Sequence, residues 1–193
     1  MFAIVQAAGW PIWPLLLASV ISVALIIERV VALRRSKVVP SGLLQRAVGE
    51  FKRGANNDKL LEDLDAHSPL GRVLSAGLRN VNASREIMKE SIEEAGSAVS
   101  HELNRYLTTL GTIASVSPHM GLFGTVVGMV EIFGSQSPTG TNPMQLAHGI
   151  SVALYNTAFG LIIAIPSLMF YRYFRGLVDQ MALTLELAAE RMV

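Results

Sequence analysis

The chain contains no cysteine, which excludes disulfides, thiolate metal sites and redox thiols. Charge is also scarce. Asp, Glu, Lys and Arg make up 16% of the 193 residues, against about 25% in an ordinary soluble domain. The balance is nearly even, +1 at pH 7, so no strongly charged partner and no nucleic acid is expected. His67, His101, His119 and His148 form no ligand-spaced set with one another or with nearby acids, so no metal site is expected. A phosphate-binding glycine loop, a nucleophile elbow and a catalytic carboxylate pair are all missing. The expectation is a protein that is not an enzyme and needs no cofactor.

What the chain has in quantity is apolar length. Hydrophobic residues make up 51%, and the mean hydropathy is +0.42. Tyr106 to Val130 holds no Asp, Glu, Lys or Arg. About 20 apolar residues, each rising ~1.5 Å, cross a bilayer as a helix. Two further runs are long and apolar enough: Ile12 to about Leu33, uncharged as far as Ile27 with Glu28 and Arg29 near its far interface, and about Leu146 to Tyr171. Trp10 and Trp13 open the first at a depth that suits headgroups. A signal peptide is not expected, because the positive charges follow the first run.

The fold class expected is an all-α membrane protein. It has three transmembrane helices, long helices extending into the cytoplasm, and a small cytoplasmic helical domain. The divisions are 1–33 for a periplasmic N-terminus and first span, 34–105 for the cytoplasmic domain, and 106–134 for the second span. A periplasmic loop at 135–145, a third span at 146–171 and a cytoplasmic amphipathic helix at 172–193 follow. All sixteen Lys and Arg lie in 29–105 or 172–193. By the positive-inside rule those segments face the cytoplasm, and the N-terminus and the Gly134–Pro143 loop lie outside.

Within 34–105, apolar spacing predicts helices over Pro40–Gly54 and Asp58–Ala66. A third starts at Ser68-Pro69 and runs to about Val81. Ser84 caps a fourth. Nothing breaks it strongly before Gly111, so one rod of about 75 Å is expected to run on into the second span. Phe174, Leu177, Val178, Met181, Leu185 and Ala188 form an apolar stripe in the tail, which is expected to continue the third span's helix.

The second span is not simply greasy. Ala114, Ser117, Gly121, Gly124, Thr125 and Gly128 fall within about a third of its circumference. Two readings stand: a helix lining a narrow cavity, or close helix packing through Gly124 and Gly128 with the Thr125 hydroxyl bonded to its own backbone. Ala153, Thr157, Gly160 and Ala164 make a second small face. Thr125 lies nine residues inside Gly134 and Thr157 eleven inside Leu146. Both therefore sit about 14–16 Å below the outer end.

These spans resemble the ExbB/TolQ/MotA family of proton-driven membrane motors. The matching residues are Ser117-Pro118, Gly121-Leu-Phe-Gly-Thr-Val-Val-Gly128, Gly149-Ile-Ser-Val-Ala-Leu-Tyr-Asn-Thr-Ala-Phe-Gly160 and Ala164-Ile-Pro166. Glu28-Arg29 and Arg34-Arg35 look similar too. Size and span number are most like the ExbB and TolQ branches. The resemblance implies a homo-oligomeric ring, commonly a pentamer, in the lipid of the bacterial inner membrane. The ring would surround a single-span partner resembling ExbD or TolR that carries a membrane aspartate. Proton flow would drive a protein resembling TonB for outer-membrane transport, or one resembling TolA for envelope maintenance. Thr125 and Thr157 match the family's pore threonines, with Ser117, Gly121, Gly128 and Ser151 along the same pathway. Glu131, Asn156 and Tyr155 fall to mouth or supporting roles, His119 to proton shuttling or packing, and Pro118 and Pro166 to helix bends. Where the family carries a glutamate in the third span, this chain has Val152, and no acid occurs in 146–171. The proton is then expected to ride chiefly on the partner's carboxylate. A non-energised scaffold and a passive ion channel are the competing readings.

Overall fold

The structure is a computed structural model that describes residues 9–54, 57–134 and 143–191. Among the described residues all regular structure is helical: α1 (Ile12–Ala32), α2 (Arg35–Val38), α3 (Leu43–Lys52), α4 (Asn57–His67), α5 (Pro69–Arg79), α6 (Arg85–Leu103), α7 (Leu107–Gly134) and α8 (Pro143–Glu190). The described parts of Met1–Ile27 and Tyr106–Arg172 form one compact unit, and those of Glu28–Arg105 and Tyr173–Val193 form another. Three helical stretches are long and apolar enough to cross a membrane, in Ile12–Ala32, Arg85–Gly134 and Leu146–Glu190. The expected Gly134–Pro143 loop lies largely outside the described residues.

In the second unit α5 is the central element. Its sequence starts with a strong signal. The Ser68 Oγ accepts the Gly71 N–H at 3.0 Å, and Pro69 occupies the first turn. Leu70, Val73, Leu74 and Leu78 are buried along it. Gly71 permits the close approach of α4. A Cβ at that position would lie 2.1 Å from the Leu64 carbonyl oxygen. Ser84 caps α6 through the Ile87 N–H at 3.3 Å. The stripe in the tail is as the spacing predicts: Phe174, Val178, Met181 and Leu185 are all buried.

Arg29 is 5% exposed. Its guanidinium donates to the Glu28 carboxylate and, through Nη1, to the Leu103 carbonyl at 3.2 Å. Leu103 ends α6, so the cation meets a carbonyl that the helix leaves without an intrahelical donor.

Two expectations change. The rod from Ser84 into the second span is interrupted at residues 104–106. Asn104 turns its side chain back to the Ser100 carbonyl at 2.9 Å, and Tyr106 takes a left-handed φ of 63°. No glycine or proline marks the break, which is why the sequence pattern passes over it. The segment expected as one helix over Pro40–Gly54 begins only at Leu43, after a left-handed Gly42, and the short α2 precedes it. By contrast, α8 runs unbroken from the third span into the tail.

Gly71→Ala is expected to destabilise the protein by about 1–3 kcal/mol, because the added carbon overpacks against fixed backbone. Thermal unfolding of the detergent-solubilised variant checks this; an unchanged midpoint would contradict the close α4–α5 contact.

Candidate functional site

In the first unit, α7 and α8 meet almost backbone to backbone. A Cβ on Gly160 would lie 2.6 Å from the Ser117 carbonyl oxygen and 3.2 Å from the Gly121 Cα. One on Gly121 would lie 2.7 Å from the Asn156 carbonyl oxygen. Gly124 receives the Asn156 side chain, and Gly128 faces Ala153. Lipid tails are as apolar as leucine, so helices in a bilayer gain from close contact rather than from hydrophobic burial. The small faces read from the sequence are thus a packing seam within one chain.

Thr125 and Thr157 sit at the edge of this seam, half-buried, with their hydroxyl oxygens 2.6 Å apart. The equal depths deduced from helix rise are borne out by this contact. Thr125 also donates to the Gly121 carbonyl at 3.2 Å. Its single proton is then committed, so Thr157 donates to Thr125. Two acceptor positions on the Thr157 oxygen face away from that bond.

A second hydroxyl pair went unrecognised in the sequence. Ser22 of α1 and Ser167 of α8 lie 2.6 Å apart, both buried, and Ser167 donates to the Ile163 carbonyl at 2.7 Å. Ser22 therefore donates to Ser167, and the pair ties α1 to α8. Ser22 is one of two serines, with Ser19, in an otherwise apolar stretch from Ile12 to Ile27, and nothing in the sequence separates the two.

The other sequence candidates are distributed as follows. Ser117, Gly121 and Asn156 are buried in the seam, and Gly128 is half-buried there. Ser151 is exposed and donates to the Ala147 carbonyl at 2.9 Å. Tyr155 is 39% exposed. His119 is exposed, with Nδ1 donating to the Ser115 carbonyl at 2.7 Å rather than to a neighbouring helix. Pro118 and Pro166 stand inside α7 and α8, which continue through them. Glu131 is exposed and borders a cleft of about 330 Å³ with Gly128, His148, Val152 and Asn156. Among the described residues no group of three or more His, Asp or Glu side chains is placed to hold a metal ion.

The profile of the MotA/TolQ/ExbB proton channel family matches residues 65–187, which include the seam and both threonines. The chain belongs to this family. Its relatives carry both branch names. Biopolymer transport protein exbB1 of Vibrio cholerae is 35% identical over 84% of this chain and 73% of its own length. A Synechocystis protein named ExbB-like 3 is 35% identical over 89% of this chain and 83% of its own. Tol-Pal system protein TolQ of Haemophilus influenzae is 33% identical over 79% of this chain and 72% of its own. Membership, with the three apolar helices, makes this a multi-pass membrane protein of a proton-channel motor type.

Gly160→Ala is expected to disturb the seam and lower the yield of assembled protein. Gly176→Ala, on the same helix with open space around it, is expected to be silent or slightly stabilising, by up to ~1 kcal/mol from helix propensity. Size-exclusion profiles of the two variants separate these outcomes.

Proposed function

We propose that this chain is the ring subunit of an inner-membrane motor, in which protons pass beside Thr125 and Thr157 and drive a periplasmic partner. The observation that carries the reading is the 2.6 Å hydroxyl pair, set between helices that bear no charged side chain at its level. With its proton on Thr125, the Thr157 oxygen accepts from a neutral carboxyl, and rotation of that O–H away from Thr125 lets it donate to a charged one, so the pair serves both states of a titrating acid. Among residues 106–171 the sole acid is Glu131, three residues from the end of α7. The carboxylate at the threonine level then comes from a single-span, ExbD- or TolR-like partner with a membrane aspartate.

The subunits form a homopentameric ring around that partner, with Ser117, Gly121, Gly128 and Ser151 along the pathway and Asn156 and Tyr155 supporting it. The N-terminus and the loop after α7 face the periplasm, and residues 34–105 and 172–193 face the cytoplasm. The distribution of Lys and Arg supports this orientation. The ExbB-type role, force on a TonB-like protein for outer-membrane transport, is favoured by the names of the two relatives at 35% identity. The TolQ-type role is supported by the third relative, at 33%.

Native mass spectrometry of the chain, expressed alone and with such a partner, is expected to show a closed ring that captures the partner. Thr125→Val and Thr157→Val nearly conserve volume and remove one hydroxyl each. Each is expected to leave the ring intact and to lower proton flux by about tenfold or more, as loss of a positioned proton-handling group does. Undiminished flux would remove the threonines from the pathway, and a ring indifferent to the partner would favour a scaffold.

A further inference from the structure

Residues 106–171 contain one charged residue, Glu131, and two histidines, His119 and His148. An ionisable group in a membrane span is costly and usually marks function. The structure brings two of these three groups to one place. Glu131 from α7 and His148 from α8 line the same cleft, and among the described residues no other titratable side chain lines it. Gly9 and Pro11, ahead of α1, form a further wall and carry no charge.

The arrangement follows from helix periodicity. Gly124, Val127, Gly128 and Glu131 recur at the spacing of one face of α7, and His148, Val152 and Asn156 at that of one face of α8. Both ionisable groups stand near the loop end, about 5 Å from the end of α7 and about 8 Å from the start of α8 at 1.5 Å per residue. Both are exposed on the chain surface within two helical turns of the loop end, the part of each span nearest to water. The cleft, about 330 Å³, has room for roughly ten waters at ~30 Å³ each. Its inner end is lined by Gly124 and Asn156. Their chain neighbours are Thr125 and Thr157, which hold the hydroxyl pair.

We infer that Glu131 and His148 form a proton-exchange pair at the mouth of this cleft, which takes protons from water at the loop end and passes them toward Thr125 and Thr157. The assignment rests on the proton-channel reading above. Carboxylate and imidazole are suited to the task. Either takes a proton from hydronium or buffer and returns it to water in the cleft, and imidazole receives at one ring nitrogen while it releases from the other. Val152 leaves residues 146–171 without an acid, and Glu131 supplies the carboxylate to the same cleft from α7.

The test uses the chain with its single-span partner in liposomes, read by a pH-sensitive dye. Glu131→Gln combined with His148→Gln is expected to slow proton flux by about tenfold or more when the loop side is alkaline. Acidifying that side, or adding imidazole to it, restores the flux, because either supplies protons without the pair. Neither restores flux to Thr125→Val. Flux that ignores the double substitution, or a loss that acid and imidazole do not repair, overturns the exchange pair and leaves the threonines in place. No flux in the unsubstituted complex overturns the underlying reading and the pair with it. A second measurement is independent of flux. The cysteine-free background allows Glu131→Cys and His148→Cys to be labelled one at a time by a membrane-impermeant maleimide. Both are expected to label from the same side; protection of either in the assembled protein overturns the assignment.

Discussion

Everything in the membrane unit depends on how closely α7 and α8 approach. Two helices carrying Leu or Val at the seam would stand about 8–10 Å apart. Here backbone faces backbone, with Gly160 over the Ser117 carbonyl and Gly121 under the Asn156 carbonyl. Only at that separation do two side chains as short as threonine touch. The hydroxyl pair is therefore a product of glycine placement, and the glycines are part of the site although they carry no reactive group.

The polar groups inside the bilayer follow a consistent rule. In the two hydroxyl pairs each proton is directed to an acceptor: Thr125 to Gly121, Thr157 to Thr125, Ser167 to Ile163 and Ser22 to Ser167. In hydrocarbon an unsatisfied donor costs several kcal/mol, so these pairings hold the helices in one register. The two pairs differ in exposure. Ser22 and Ser167 are buried and act as a fastening, whereas Thr125 and Thr157 are half-buried at the edge of the seam. The second unit uses other means, an apolar core about α5 and capped helix starts at Ser68 and Ser84. Its surface ion pairs, Arg72–Glu102 and Arg79–Asp65, join exposed side chains and contribute ~1 kcal/mol at most.

Much of this was legible in the amino-acid order. Span boundaries came from where charge is missing, because the bilayer penalises every charged side chain in the same direction. Ser68-Pro69 and Ser84 announced helix starts through local hydrogen bonding alone. The common depth of Thr125 and Thr157 followed from the 1.5 Å rise. The interruption at residues 104–106 was not legible, since Tyr106 adopts a conformation that its side chain does not favour and no glycine announces it. The Ser22–Ser167 pair and the Glu131–His148 cleft were equally hidden. Each joins residues far apart in the chain, and no local periodicity reports which faces of two helices meet.

By itself, the sequence determined that the chain is helical, that three stretches suit the bilayer, and that small residues line one face of two of them. These follow from composition and period, which act over a few helical turns. Tertiary structure alone decided that the small faces belong to each other, that Thr125 and Thr157 share a hydrogen bond, and that Arg29 caps α6 at Leu103. Those outcomes depend on helix separation and rotation, which are set by contacts among residues far apart in the chain.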